Sequence, residues 1–251
     1  MLAAARREFL LERLRRDRRI VAKEVAQELD LSEDSIRRDL RELAGEGLLT
    51  RVYGGAVPAS PAVADYAARS TIASDSKDRV AAAAARLIRP GATVILDGGT
   101  TNLAVVRHLP RERPCTIVTH SPTIAVALLE HEADVILIGG RLFKHSAVAS
   151  GAAAVEAAGR ITADLFLLGV TGIHPDTGLT TGDADEAAMK RVLASRAAET
   201  FALGSVEKVG AASPHQVLPL EAVAGLVLDA DADPTSLARL RETGVRVIDA
   251  G

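Results

Sequence analysis

The sequence contains little cysteine and few aromatic residues. Of its 251 residues, only Cys115 is a cysteine, none is a tryptophan, and aromatic residues make up 2%. A lone cysteine excludes a disulfide framework and any metal site built from several cysteines, and it is typical of a protein from a reducing compartment. With so few aromatic rings, the core must be built from aliphatic side chains.

The sequence also has no long apolar run. A membrane-spanning helix needs about 18 or more consecutive apolar residues, and the chain contains no such stretch. Met1 leads into an arginine-rich segment rather than into the apolar region of a secretory signal peptide. We therefore expect a cytoplasmic protein with no membrane partner.

An excess of positive charge is missing as well. The formal net charge is −3, which taken alone argues weakly against a nucleic acid partner. Residues 1–57 hold 12 basic and 11 acidic residues (+1), whereas the other 194 residues hold 18 and 22 (−4). The average therefore combines a weakly basic N-terminal part with an acidic remainder, and it does not exclude DNA.

Residues 1–57 have the pattern of a winged helix-turn-helix. Apolar residues at helical spacing indicate three short helices, and the third has an N-cap at Ser32 and a buried stripe at Ile36, Leu40 and Leu43. A small hairpin with a Gly54-Gly55 turn follows as the wing. The stripe turns the arginines of the third helix outward, where they could read guanine or clamp phosphate. A solvated charged face of a small helical cap is the alternative interpretation.

The remainder of the chain predicts an α/β domain. Residues 58–74 mix Pro, Ala and Ser without a period, as expected of a linker. Helices then alternate with short Val/Ile/Leu strands through residues 75–251, which predicts a Rossmann-like, mostly parallel sheet covered on both faces. The expected helices are 75–88, 102–109, 122–131, 151–159, 185–199 and 234–243, and the expected strands are 93–96, 115–119, 134–139, 164–170, 200–203, 225–229 and 245–248.

Ligands of such sheets bind beyond the carboxyl ends of the strands. The loop after the first strand, Asp97 to Asn102, contains two glycines and two threonines and runs into a helix, an arrangement that can hold phosphate but that also occurs as an ordinary turn. It matches neither the dinucleotide-binding fingerprint nor a P-loop. Loops at His120-Ser121, at 139–141 and at 169–185 converge on the same edge.

Two of the five lysines, Lys190 and Lys208, are expected at this edge, where a point charge on phosphate would be useful. Glu186 and Lys190 are four residues apart, and a simple helix-stabilising pair is the favoured interpretation. The six histidines have no metal-ligand spacing, so we expect no metal and no cofactor.

Residues 21–57, VAKEVAQELDLSEDSIRRDLRELAGEGLLTRVYGGAV, closely resemble the DNA-binding signature of DeoR-type bacterial transcription regulators. Leu31, Ser35 and Tyr53 depart mildly from that signature. The resemblance continues in LDGGTT (96–101), VTHS (118–121), GG (139–140), GVTGI (169–173) and DEAAMK (185–190).

The resemblance implies that the second domain has the sugar-phosphate isomerase fold typified by ribose-5-phosphate isomerase, reused to sense a phosphorylated sugar. The effector-binding residues that it implies are Asp97, Gly98, Gly99, Thr100, Thr101, His120, Ser121, Gly140, Glu186, Lys190 and Lys208. His120 stands where the family usually has Asn, and the segment Gly204 to Lys208 lacks the usual Asp. These departures point to an atypical effector or a weakened response.

The sequence thus predicts a DNA-binding repressor controlled by a phosphorylated sugar. Symmetric operator DNA requires at least a homodimer. The expected DNA contacts are Ser32, Ser35, Arg37, Arg38, Arg41, Arg51, Tyr53, Gly54 and Gly55. The competing hypothesis is a sugar-phosphate isomerase or deaminase with Asp97, Glu186 and Lys190 as acid–base groups; it is disfavoured because such an enzyme needs no helix-turn-helix.

Overall fold

The structure is a computed structural model that describes residues 2–251. Its helices are α1 (Ala3–Asp17), α2 (Ala22–Glu28), α3 (Glu33–Gly45), α4 (Tyr66–Thr71), α5 (Ser74–Ala85), α6 (Thr100–His108), α7 (Pro122–Ala127), α8 (Ala152–Ala158), α9 (Ala184–Ser195) and α10 (Pro234–Glu242). Its strands are β1 (Ile20–Val21), β2 (Leu49–Val52), β3 (Gly55–Pro58), β4 (Thr93–Leu96), β5 (Thr116–Thr119), β6 (Asp134–Leu137), β7 (Arg141–Phe143), β8 (Val148–Ser150), β9 (Ala163–Gly169), β10 (Gly172–His174), β11 (Gly178–Thr181), β12 (Ala197–Gly204), β13 (His215–Leu218), β14 (Gly225–Asp229) and β15 (Val247–Ala250).

The N-terminal part is a winged helix-turn-helix, as predicted. Helices α1 to α3 pack on an antiparallel sheet of order β1-β3-β2. The Ser32 hydroxyl caps α3 by accepting a hydrogen bond from the Ser35 amide at 3.2 Å. Ile36, Leu40 and Leu43 are buried, which confirms the predicted stripe and leaves the opposite face of α3 in solvent.

The wing turn depends on its two glycines. Gly54 has a φ of +76°, a conformation that side chains rarely adopt. A Cβ on Gly55 would lie 1.7 Å from the carbonyl oxygen of Ile20. Only glycine therefore allows β3 to approach β1 this closely, and the Gly54-Gly55 pair predicted as the turn is required by the fold.

The second part is an α/β domain with a seven-stranded sheet of order β15-β14-β12-β9-β4-β5-β6. Every neighbouring pair in this sheet is parallel, which confirms the predicted class. Apolar clusters cover both faces of the sheet. Of the largest fully buried side chains, Phe166 is the one aromatic, so the core is aliphatic as expected.

Several predicted elements are wrong in detail. The helix expected over 185–199 ends at Ser195, and residues 197–199 already belong to β12. Ala197 and Glu199 pair with Ala163 and Leu165 of β9, because sheet pairing outweighs the helix preference of alanine and glutamate. The loops expected after the third and fourth strands contain the hairpin β7-β8 and the strands β10 and β11, which form a small antiparallel sheet with β13 from the segment between β12 and β14.

The segment predicted to be a linker, residues 58–74, is ordered and is called the connector below. It contains a 3-10 turn at Pro61–Val63 and helix α4. The connector packs on the second domain: the Ala212 amide donates to the Pro58 carbonyl at 3.2 Å, and the Ser60 hydroxyl donates to the Thr171 carbonyl. The two parts of the chain are therefore joined by a docked segment rather than by a free tether.

Within residues 2–251, no helix is both long enough and apolar enough to cross a membrane.

Candidate functional site

The first candidate site is the exposed face of α3 together with the wing. Arg37, Arg38 and Arg41 are exposed on α3, and Arg51 and Tyr53 are exposed on the wing. Arg37 pairs with Glu33 one turn earlier, with 2.7 Å between Nη2 and Oε1. Among residues 2–251, Arg38, Arg41 and Arg51 have no acidic partner within 4.0 Å. These three guanidiniums are therefore available to an anionic partner.

The other residues expected at this surface have structural roles in the chain itself. The Ser32 and Ser35 hydroxyls hydrogen-bond to each other at 2.9 Å at the start of α3. Gly54 is exposed at the tip of the wing, whereas Gly55 is buried against β1. Gly55 therefore shapes the wing and does not present a surface to a partner.

Sequence reasoning missed the contact that holds α3 in place. Asp39 is buried and receives the Arg6 guanidinium from α1 through two nitrogens, with Nη2 3.0 Å from Oδ1. The hydrogen bond to Asp39 raises the pKa of Arg6. A bidentate Arg–carboxylate pair fixes the relative orientation of its two groups as well as their distance. The pair therefore fixes the position of α3 relative to α1. The spacing of 33 residues gives no local signal for this pair.

The second candidate site is a polar crevice at the carboxyl ends of β4, β9 and β12. The residues that line it are Ala62, Arg69, Lys77, Gly98, Gly99, Thr100, Thr101, Ser146, Gly169, Val170, Thr171, Thr181, Glu186, Lys190, Glu207 and Lys208. The free volume of the crevice in this structure is about 20 Å³. That is room for one or two waters, so the crevice is nearly closed.

Asp97 organises one end of the crevice. Its side chain is fully buried, and Oδ2 accepts hydrogen bonds from Lys190 Nζ at 2.6 Å and from the Gly169 amide at 2.9 Å. Oδ1 accepts from the Gly98 amide at 2.8 Å and lies 2.9 Å from His120 Nε2. Burial alone would raise the pKa of Asp97, but the Lys190 ammonium and the His120 hydrogen bond outweigh it and lower this pKa to about 2.

Lys190 and His120 are therefore bound to Asp97 and not free. The Lys190 ammonium is 3.9 Å from Glu186, so its main partner is not the helix neighbour that the i, i+4 spacing suggests. His120 Nδ1 lies 3.1 Å from the Ala149 carbonyl, which means that both ring nitrogens face acceptors. The ring is therefore held between the Asp97 carboxylate and the Ala149 carbonyl.

The opposite end of the crevice has an excess of positive charge. Lys208 is buried, donates to the Thr101 hydroxyl at 2.9 Å, and has its pKa lowered to about 8, mainly by burial and against the attraction of Glu207. Burial likewise lowers the pKa of Lys77 and of Arg69. Lys208 and Lys77 thus share one carboxylate, that of Glu207, beside the N-terminus of α6, and the strongest acidic influence on Arg69 is that of Glu186. This end is suited to an anion.

The crevice includes some of the predicted effector-binding residues and not others. Gly98, Gly99, Thr100, Thr101, Glu186, Lys190 and Lys208 line it, and Asp97 lies directly behind Lys190. His120, Ser121 and Gly140 are outside the lining. The Ser121 hydroxyl lies 2.9 Å from that of Thr123, and Gly140 is packed so closely that a Cβ would meet the Ser150 carbonyl oxygen at 2.8 Å.

Sequence reasoning also missed a part of the lining. Arg69 lies in the connector, Lys77 in the first helix of the domain, and Ser146 and Glu207 in loops. Their positions in the crevice come from tertiary packing, since no motif or spacing links them. The one available signal was the small number of lysines, because Lys77 is one of only five.

The fold and these two sites define a class of protein. A winged helix-turn-helix with uncompensated arginines, docked to an α/β domain with a charged crevice at its strand ends, is the architecture of a transcription regulator with its own sensor domain.

Family comparison agrees with this class. The family model described as the DeoR-like helix-turn-helix domain matches residues 6–62, and the DeoR C-terminal sensor domain matches residues 72–230. The chain therefore belongs to the DeoR family of DNA-binding transcription regulators, as its sequence signature predicted.

Individual relatives extend over most of the chain. The transcriptional regulator GlpR of Haloferax volcanii is 32% identical over 99% of this chain and 98% of that protein. The glycerol-3-phosphate regulon repressor of Escherichia coli is 30% identical over 77% of each chain. Among solved structures, the full-length sorbitol operon regulator SorC of Klebsiella pneumoniae is similar over 93% of this chain and 97% of that chain, with 14% identity and a TM-score of 0.42.

We predict that Lys190→Met destabilises the second domain by about 3–5 kcal/mol, because it leaves the Asp97 carboxylate buried without its ammonium partner. Urea denaturation measures the effect. The exposed Lys144 provides a matched control, since Lys144→Met should change the free energy of unfolding by less than about 0.5 kcal/mol. Adding Asp97→Asn to Lys190→Met should recover part of the loss, and equal midpoints for Lys190→Met and the wild type would contradict the assignment.

Proposed function

We propose that this protein represses transcription by binding a symmetric operator through α3 and the wing, and that a phosphorylated sugar in the crevice releases it. The observation that carries the proposal is that one chain combines unpaired exposed arginines on a helix-turn-helix with a nearly closed, cation-rich crevice in a docked second domain. DNA binding also places its action in the cytoplasm.

Helix α3 enters the major groove in this proposal. Arg38 and Arg41 are three residues apart and so lie on one face of the helix, where they can reach base edges. Arg51 and the exposed Tyr53 on the wing contact the backbone. Ser32 and Ser35 lie at the N-terminal end of α3, whose partial positive charge favours a phosphate. The weakly basic domain gives modest non-specific affinity, so specific contacts and dimerisation supply the remainder.

The cation-rich end of the crevice takes the phosphate of the effector. The Lys208 ammonium, the Thr100 and Thr101 hydroxyls and the free amides at the start of α6 supply the donors. Glu186 at the other end can accept hydrogen bonds from sugar hydroxyls. The relative from Escherichia coli is named as the repressor of a regulon for glycerol 3-phosphate, a phosphorylated polyol.

An isomerase or deaminase is the weaker candidate, and we propose that the protein is not an enzyme. A general base works best when its pKa is near the working pH. Asp97 has a pKa of about 2, and its two oxygens already accept four hydrogen bonds. Lys190 is held by the same carboxylate. Neither group is free to move a proton to or from a substrate.

A second copy of the chain is the partner proposed for the edge strand β6. Val135, Ile136 and Leu137 are 37–50% exposed, and Val126 and Leu129 beside them are more exposed still. Edge strands are normally kept from pairing with another chain by charged side chains, by proline or by a segment that covers them. Two copies of one strand can pair antiparallel about a two-fold axis, which matches the symmetry that the operator requires.

Charge supports the same pairing. Asp134 begins β6, and Arg141 follows its end. Both are exposed, and among residues 2–251 neither has an oppositely charged partner within 4.0 Å. Antiparallel pairing brings the Asp134 end of one strand toward the Arg141 end of the other, twice per dimer.

We predict that Arg38→Ala weakens binding to the preferred operator by about 1–3 kcal/mol while binding to random DNA changes little, because a base contact is lost. Fluorescence anisotropy at fixed salt, with upstream fragments and random DNA, measures both. Arg160→Ala, at an exposed arginine of the second domain, is the control. A wild-type protein with no preference for any upstream fragment would contradict the proposed function.

We predict that phosphorylated sugars raise the melting temperature without being turned over. The screen compares ribose 5-phosphate, fructose 6-phosphate, glucosamine 6-phosphate and glycerol 3-phosphate with their unphosphorylated counterparts. Binding should weaken above pH 8, by at most about tenfold per unit, because the protonated Lys208 that binds phosphate has a pKa of about 8. Lys208→Met should abolish this pH dependence. Turnover of any of these compounds would favour the enzyme instead.

We predict that Ile136→Asp converts the dimer to a monomer and weakens operator binding, because a charge is placed in the paired edge. Light scattering gives the mass and anisotropy gives the affinity. Ala238→Asp, on the exposed side of α10, adds the same charge elsewhere and should change neither. A dimeric Ile136→Asp variant would show that copies associate through another surface.

A further inference from the structure

Three buried polar atoms in the crevice have no hydrogen-bond partner within residues 2–251. They are Arg69 Nε, Ser146 Oγ and Glu207 Oε2, and all three residues line the crevice. Buried polar groups in folded proteins are nearly always hydrogen-bonded. Two donors and an acceptor that converge on one small space are therefore available to a ligand that carries both an anionic group and hydroxyls.

Two of these residues belong to the roof of the crevice, which we define as α4 and the β7-β8 turn (residues 144–147). The His145 carbonyl accepts the Tyr66 amide at 2.9 Å and lies 3.4 Å from Arg69 Nη2. Helix α4 is thus fastened to the turn that carries Ser146. Because the free volume of the crevice is so small, a ligand the size of a sugar phosphate fits only if part of the lining moves.

The floor of the crevice carries two buried lysines, Lys208 and Lys77. Lys208 Nζ donates a hydrogen bond to the Thr101 hydroxyl at 2.9 Å, and both residues follow strands of the central sheet. Lys77 is buried and donates to the Arg69 carbonyl at 2.5 Å. Because the Arg69 carbonyl belongs to the backbone of α4, this hydrogen bond from Lys77 joins the roof to the charged floor.

The roof is continuous with the DNA-binding domain. Helix α4 is part of the connector, and only seven residues lie between Pro58, the last residue of wing strand β3, and Tyr66. Between them, the Ser60 hydroxyl donates to the carbonyl of Thr171, a residue of the crevice lining. A displacement of α4 can therefore be transmitted to the wing through a short segment that is packed on the second domain.

We propose that Arg69 is a ligand-binding residue that couples the crevice to the wing: a phosphorylated sugar is bound between Arg69 and Ser146 of the roof and Lys208 of the floor, and the resulting shift of α4 moves the connector. This inference rests on the proposed function. It adds a binding residue from the segment that joins the domains, and it assigns Glu207 to a hydroxyl of the ligand.

The test compares Arg69→Met with Arg86→Met, which makes the same change at an exposed arginine. Calorimetry gives the Kd of the phosphosugar that stabilises the wild type best, and anisotropy gives the ligand concentration that releases half of the operator, with each variant referred to its own ligand-free affinity. We expect both values to rise at least tenfold for Arg69→Met and to stay within twofold for Arg86→Met. Arg69→Lys serves if the Met variant does not fold, and it should lose less because it keeps the charge.

Ser60→Ala separates binding from coupling. It removes the contact between the connector and Thr171 while leaving the crevice side chains in place. We expect a ligand Kd within twofold of wild type and a release that needs several times more ligand.

Two outcomes would overturn the inference: Arg69→Met and Arg69→Lys that respond like the wild type, or Ser60→Ala that releases the operator normally. If the wild type binds none of the phosphosugars, the proposed function itself fails and this inference fails with it.

Discussion

The buried carboxylate of Asp97 is the contact on which the second domain depends. Its oxygens accept the amides of Gly98 and Gly169 and the side chains of Lys190 and His120, so β4, β5, β9 and α9 meet at one point. A carboxylate is tolerated in the interior only when it is paired and fully hydrogen-bonded. The positions of these loops, and hence one wall of the crevice, follow from that requirement.

Because Asp97 is already paired, the two ends of the crevice differ in the charges that they can offer to a ligand. At one end the Lys190 ammonium is matched by the Asp97 carboxylate, which fixes geometry, and the Glu186 carboxylate remains available as a hydrogen-bond acceptor. At the other end Lys208 has only the neutral Thr101 hydroxyl as a hydrogen-bond partner, and burial keeps its charge costly until an anion arrives. A ligand that brings negative charge is therefore stabilised at the Lys208 end, whereas the Asp97 end mainly holds shape.

The sequence predicted those features that have a local cause. The cap at Ser32, the stripe of α3 and the Gly54-Gly55 turn are each set by neighbours within a few residues, and strands buried on both faces are apolar without interruption. The helix expected through Glu199 failed because pairing with a distant strand overrides local preference. The expected linker failed for a related reason: nothing near Arg69 in sequence indicates that α4 forms the roof of a crevice. The crevice lining could thus be predicted where it follows strand ends and not where it is contributed by tertiary packing.

Burial, more than net charge, decides what each part of the molecule can bind. The second domain is acidic in sum, yet acidic residues such as Glu156 and Asp185 are exposed, where solvent and salt screen their fields within about 10 Å. Lys208 lies in the interior, where the same unit charge acts through a lower effective dielectric constant. The converse holds on α3, where Arg38 and Arg41 are solvated and their attraction to DNA depends on salt. An acidic domain can therefore still present a favourable site for an anion, and a weakly basic domain can still attract a polyanion through its exposed arginines.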